Sequence, residues 1–133
     1  MTIIESRSTI NQSVETVYNF LADCNNHEKL MPENIIDWSS TMDEASFAIQ
    51  NMSKLVLKVK ERRLNEEIII VPSGKAPFDL TLSWKIKALN DTSTEAIFTI
   101  TAELNMMMKM VASGPLKKLA EFETVKLKEE LAF

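Results

Sequence analysis

The amino-acid sequence predicts an α+β fold: a curved antiparallel sheet of about six or seven strands wraps around a long C-terminal helix. Three observations support this prediction. Several segments in the middle of the chain alternate apolar and polar residues, as half-buried strands do. Short turns rather than helices separate these segments, so neighbouring strands should run antiparallel. The last segment, residues 105–133, carries apolar residues at helical spacing over a length that needs a broad surface to cover.

The start of the chain predicts one strand followed by two short helices. Residues 2–10 mix β-branched and polar residues, which is typical of a strand. Asn11, with Ser13 as a second candidate, is placed to cap the helix that follows. Apolar residues at helical spacing then continue to Cys24. The polar segment 23–26 is poor helix-interior chemistry, so we expect a break there and a second short helix after it.

The middle of the chain predicts a meander of strands. Alternation and turn residues place them at residues 35–40, 45–49, 55–60, 67–71, 78–87 and 95–104. The segment 78–87 alternates most clearly, so its odd-numbered and even-numbered side chains should face opposite sides of the sheet. The chain shows no internal repeat or linker, and its 133 residues match the size of one domain, so residues 1–133 are expected to form a single domain.

Composition argues against several classes of function. The net charge is −4, whereas nucleic-acid binding depends on clustered positive charge, so no nucleic-acid partner is expected. No apolar run approaches the roughly 20 residues that span a bilayer, so no membrane span is expected. The first residues lack the pattern of a secretory signal peptide. We therefore expect a cytoplasmic location.

The residues that usually carry metal or cofactor chemistry are scarce. His27 is the single histidine and lies in a polar segment, where a surface or capping role is expected. Cys24 is the single cysteine and is expected in the core, so no metal site is predicted. The two glycines, Gly74 and Gly114, do not form a phosphate-binding loop. No cofactor is expected.

Four stretches, together with the order of the elements, carry a family resemblance. They are residues 17–23, residues 26–32, residues 76–82, and residues 105–110 with Pro115 and Leu116. They resemble the START-like, or SRPBCC, superfamily, which includes polyketide cyclase/dehydrase-like and lipid-transport proteins, and within it a small bacterial branch. The resemblance implies the helix-grip fold, in which the sheet and the final helix enclose a hydrophobic cavity.

The expected cavity wall combines the apolar strand faces with the methionine-rich start of the final helix. Its predicted residues are Phe47, Ile49, Leu57, Val59, Phe78, Leu80, Leu82, Trp84, Phe98, Ile100, Met107, Met110 and Val111. Methionine is flexible, so the cluster suits ligands of varied shape. The alternative is that these residues fill a core where the helix meets the sheet. A buried Trp84 needs a partner for its indole N–H, either a backbone carbonyl or a ligand.

The Gly114 and Pro115 pair divides the final helix into two predicted halves. A ligand is expected beside the methionine-rich first half. The second half is expected to anchor the helix to the sheet through a set of apolar residues: Leu116, Leu119, Ala120, Phe122, Val125, Leu127 and Leu131.

The leading functional hypothesis is non-catalytic binding of a hydrophobic or amphipathic small molecule, lipid-like or polycyclic. A second hypothesis is a cyclase- or dehydrase-like enzyme. Glu61 is its one weak catalytic candidate, because it shares strand parity with Leu57 and Val59 and would point inward.

A third hypothesis is a module that binds a protein partner, including a second copy of itself, over a filled core. Strand parity places Ile68, Ile70 and Ile97 on the outer face of the sheet, where they would form the contact surface of a homodimer.

Overall fold

The computed structural model describes residues 1–50, 54–74, 76 and 78–132. Seven antiparallel strands form one curled sheet, and a 25-residue C-terminal helix packs against it, which confirms the predicted α+β fold. The strands are β1 (Thr2–Ile10), β2 (Ile35–Ser40), β3 (Glu44–Ile49), β4 (Lys54–Arg63), β5 (Glu67–Pro72), β6 (Leu80–Asn90) and β7 (Ser93–Ala102). The helices are α1 (Val14–Leu21), α2 (Cys24–His27) and α3 (Met106–Glu130), with a 3-10 turn at Glu28–Leu30.

The strand order across the sheet is β1-β7-β6-β5-β4-β3-β2. Strands β2 to β7 follow one another in both the chain and the sheet, as a meander does. β1 instead pairs along its whole length with β7, from Thr2 opposite Ala102 to Ile10 opposite Thr94. The two sheet edges are therefore β1 and β2, and the segment that holds α1 and α2 connects them.

Short polar side chains begin the first two helices. Ser13, the second of the two predicted caps, accepts a hydrogen bond from the backbone N–H of Thr16 at 3.3 Å. Asp23 does the same for α2, accepting from the N–H of Asn25 at 3.0 Å. The polar segment that was expected to break the first helix therefore starts the second one.

The two halves of α3 differ in how they pack. In the second half, Ala120 and Leu127 are fully buried. The hydroxyl of Thr124 lies 2.8 Å from that of Ser6 on β1, which ties this half to the sheet edge. In the first half, by contrast, Met107 and Met110 are exposed. The predicted end of this helix, Phe133, lies outside the described residues.

Within the described parts of the chain, no helix is long and apolar enough to cross a membrane.

The inward face of β5 differs from the prediction. Ile68 lies opposite Trp84 and Ile70 lies opposite Leu82, and directly opposed residues of antiparallel strands share a face. Ile68 and Ile70 are therefore buried in the core, and their predicted place on an outer contact surface is wrong. Residues 68–70 are three consecutive isoleucines, so they contain no alternation that could set the parity. Ile97 is half-buried.

We predict that Ile68→Ala lowers the free energy of unfolding by roughly 2–5 kcal/mol, because a cavity replaces fully buried methyl groups. Ile3→Ala is the matched control: Ile68 is 0% exposed and Ile3 is 63% exposed, so this change should cost about 1 kcal/mol or less. Urea unfolding followed by circular dichroism measures both values. Equal losses would show that the inward face of β5 is assigned incorrectly.

Candidate functional site

A cavity of about 630 Å³ lies between the curled sheet and α3. Ligand pockets in proteins typically measure roughly 300–1,000 Å³, so this volume suits a small organic molecule. The concave face of the sheet supplies one side of its wall and one face of α3 supplies the other. Residues of the helical segment between β1 and β2, among them Cys24, His27 and Met31, complete the wall.

Most of the predicted cavity residues line this space. They are Phe47, Ile49, Leu57, Phe78, Leu80, Leu82, Trp84, Phe98, Ile100 and Val111. Three predicted residues do not contribute to the wall in the described structure: Val59, Met107 and Met110. Val59 packs against the core cluster instead. Whether the lining residues bind a ligand stays a prediction.

The start of α3 faces the cavity with a different side from the one predicted. Met107 is 77% exposed and Met110 is 86% exposed, whereas Met108 lines the cavity. The helix face that lines it continues, at steps of three or four residues, through Ala112, Leu116, Leu119 and Glu123. Because residues 106–111 are apolar on nearly every side of the helix, their sequence contains no signal for the buried face.

The second half of α3 also contributes to the wall, which the sequence analysis did not predict. Leu116, Leu119 and Phe122, which were predicted only as anchors, line the cavity. Strand β5 adds Ile70, which was not predicted because its strand parity is unclear from the sequence. Strand β2 adds Ile35 and Trp38.

Two stacked aromatic pairs form part of the wall. The ring centroids of Trp84 and Phe98 are 4.5 Å apart, and those of Trp38 and Phe47 are 5.4 Å apart. The indole N–H of Trp38 donates to the hydroxyl of Ser40 at 2.9 Å. The indole N–H of Trp84 has no hydrogen-bond partner in the described part of the chain. This N–H therefore donates to no backbone carbonyl of the described residues, although a backbone carbonyl was one of its two expected partners.

Glu61 lies on the outer face of the sheet. The pairing of β4 with β5 shifts register between Val59 and Glu61, so one extra residue of β4 reverses the parity beyond that point. Glu61 consequently lies opposite Ile69, whose neighbours in β5 point inward. It forms an ion pair with Arg63 and is not part of the cavity wall in the described structure. The structure gives no support to the acid–base role predicted for Glu61.

Glu123 is the one carboxyl group among the described residues of the cavity wall. It lies on the buried stripe of α3 with Ala120 and Leu127 and is only 3% exposed. No hydrogen bond or ion pair reaches its carboxyl group within the parts of the chain that the structure describes. Burial raises the pKa of this carboxyl to about 8, so it holds a proton at neutral pH. A charged residue on a helix stripe that is otherwise uncharged is a sequence signal that would have identified it.

The other titratable groups of the wall have different roles. His27 was expected at the surface but is buried, and its Nε2–H donates to the carbonyl of Leu21 at 2.8 Å. Burial lowers the pKa of His27 and, by the same effect, raises the pKa of the Cys24 thiol to about 11. Lys54 and Lys118 are exposed although they line the cavity, so they lie at its opening.

No group of three or more histidine, cysteine, aspartate or glutamate side chains in the described residues is arranged to hold a metal ion.

Solved structures of distant sequence share this architecture. A START superfamily protein from Mycobacterium smegmatis is 15% identical, with a TM-score of 0.72 over 97% of this chain and 96% of that one. The Zhui aromatase/cyclase from Streptomyces sp. R1128 is 11% identical, with a TM-score of 0.75 over 98% of this chain and 93% of that one. The chain has the START-like fold. The Aha1 dimer from Colwellia psychrerythraea shares it at 20% identity and a TM-score of 0.71, over 98% and 96% of the two chains.

No protein-family model matches the sequence, and no curated protein matches it. At these identities the likeness among START-like structures shows the fold alone, because one fold supports many functions. The chemistry of this START-like chain therefore has to be argued from its own cavity.

We predict that Glu123 makes stability fall as pH rises. Its pKa is about 8 in the folded protein and near 4.5 in an unfolded chain. Between these two pH values the carboxyl group of Glu123 is ionised in the unfolded chain but keeps its proton in the folded protein. The free energy of unfolding therefore decreases by up to about 1.4 kcal/mol per pH unit as pH rises. Glu123→Gln should remove this decrease and raise stability at pH 8. Urea unfolding between pH 5 and pH 8.5 measures the effect.

Glu121→Gln is the matched control, because Glu121 is exposed on the same helix and should leave the slope unchanged. The lowered pKa of His27 makes stability rise with pH below 6.5, the usual pKa of histidine. This contribution is the same in the parent protein and in both variants. A Glu123→Gln slope identical to that of the parent protein would contradict the assignment.

Proposed function

We propose that this protein binds a hydrophobic or amphipathic small molecule, without reacting with it, in the cavity beneath α3. The observation that supports this function is the cavity of about 630 Å³ with a mostly apolar wall. Transfer of apolar ligand surface from water into such a site contributes roughly 25 cal/mol per Å², before the ordering costs of binding are subtracted. Because the wall is formed by rigid strands on one side, much of that ordering is already present in the folded protein.

The composition of the wall favours a bulky ligand body. Trp84 and Phe98 offer a stacked aromatic surface on the sheet side. Met108 and Leu116 offer flexible aliphatic groups on the helix side. A polycyclic or lipid-like molecule would contact both sides at once. Lys54 and Lys118 at the opening are placed to contact a polar group that remains in solvent.

We predict that Ala112→Trp weakens binding of the uncharged fluorescent probe N-phenyl-1-naphthylamine at least tenfold. Ala112 lines the cavity, and an indole at this position would occupy the space of the ligand. Val125→Trp is the matched control, because Val125 is on the same helix and 58% exposed. Fluorescence titration measures binding, and circular dichroism checks the fold. Equal binding by all three proteins, or no binding by the parent protein, would contradict the proposed function.

A second candidate function is cyclase- or dehydrase-like catalysis. Glu123 supports it, because a desolvated carboxyl group inside the cavity meets the requirement that Glu61 does not. The name of one structural neighbour, the Zhui aromatase/cyclase, motivates it further. The test is incubation with a β-hydroxy ketone and mass spectrometry of the products. Dehydration that the parent protein accelerates and Glu123→Gln does not would favour catalysis, and recovery of unchanged ligand would favour binding alone.

A cytoplasmic location and a homodimer stay predictions. The buried positions of Ile68 and Ile70 remove them from any contact surface of such a dimer.

A further inference from the structure

Glu123 differs from Thr124 and His27, the other buried polar residues near it, in forming no hydrogen bond or ion pair with the described residues. Thr124, the next residue, is also buried, but its hydroxyl lies 2.8 Å from that of Ser6 and 3.2 Å from the carbonyl of Ala120. His27, across the wall, has the carbonyl of Leu21. The carboxyl group of Glu123 has no such contact in the described structure. A molecule inside the cavity is therefore in a position to supply its missing hydrogen bond.

The carboxyl group of Glu123 lies in a mostly apolar wall that offers it few hydrogen-bond partners among the described residues. Burying a polar group without a hydrogen bond costs free energy that a new partner restores. A ligand that brings a hydrogen-bonding group to Glu123 therefore gains affinity, whereas a purely apolar ligand leaves the group unsatisfied. The expected preference corresponds to roughly a tenfold difference in affinity.

The protonation state of Glu123 narrows the class of partner. Burial raises its pKa to about 8, so at pH 6 the group is a neutral carboxylic acid with one donor and one acceptor. This pattern matches a carbonyl or hydroxyl group. A carboxylate would lose its hydration at this position, whereas the two lysines among the described wall residues, Lys54 and Lys118, are at the opening.

We propose that Glu123 selects the ligand of this cavity by hydrogen-bonding a neutral carbonyl or hydroxyl group at the buried end of an otherwise apolar molecule. This inference rests on the proposed binding function and adds the chemical class of ligand. Any charged group of the same molecule would lie at the opening beside the two lysines.

The test uses four naphthalene probes that differ in one substituent: 2-acetylnaphthalene, 2-ethylnaphthalene, 2-naphthoate and 2-(aminomethyl)naphthalene. Their affinities are measured at pH 6 by displacement of N-phenyl-1-naphthylamine. The parent protein should bind the ketone most tightly and the carboxylate most weakly. In Glu123→Leu the ratio of ketone affinity to ethyl affinity should fall roughly tenfold, because the carbonyl loses its donor. Glu123→Gln, which keeps an N–H donor, should retain most of the ratio.

Glu121→Leu, a change at an exposed position of the same helix, is the control and should leave the ratio unchanged. The inference is overturned if the ketone has no advantage, if the advantage survives in Glu123→Leu, or if the amine binds most tightly. In each of these outcomes the ethyl probe still binds, so the proposed binding function stands. If no probe binds the parent protein, both proposals fail together.

Discussion

The attachment of α3 by its second half is the constraint on which the site depends. Ala120 and Leu127 bury against the core, and the contact between Thr124 and Ser6 fixes this half beside β1. In the first half, Met107 and Met110 are in solvent. A helix that packed along its whole length would place more of its side chains on the sheet. A cavity of about 630 Å³ remains between the sheet and α3, and residues of both halves of the helix line it.

The same geometry places Glu123 at the boundary between the packed and the open parts. It occupies the buried stripe and borders the cavity. Burial therefore penalises its ionised form, and its protonated carboxyl group borders the cavity. The proposed binding would couple to stability at this position: a molecule that hydrogen-bonds Glu123 should also stabilise the fold, by an amount that follows from its concentration and dissociation constant.

Where local pattern determines structure, the sequence predicts it correctly. The alternation of Leu80, Leu82, Trp84 and Ile86 predicted a face that the register of β6 with β7 confirms. Three predictions of side-chain direction were wrong because contacts elsewhere in the fold set those directions. Residues 68–70 contain no alternation, so only pairing with β6 sets their face. The inserted residue in β4 reverses the direction of Glu61, which no pattern within that strand indicates.

The predicted orientation of the methionine cluster was wrong for a related reason. An apolar helix end has no preferred face until the rest of the helix packs against the sheet. Glu123 was missed although the sequence contained a signal for it, a charged residue within the stripe that runs from Leu116 to Leu127. The size of the cavity depends on the distance between helix and sheet, which is a property of the whole fold.

The cavity beneath α3 is tested most directly by anomalous diffraction from a crystal of the protein pressurised with xenon, which enters dry apolar cavities. Xenon should bind between Trp84 on the sheet and Leu116 on α3, and it should be absent from that position in Ala112→Trp. A crystal that takes up no xenon there, with the side chains of α3 in van der Waals contact with the sheet along the whole helix, would contradict it.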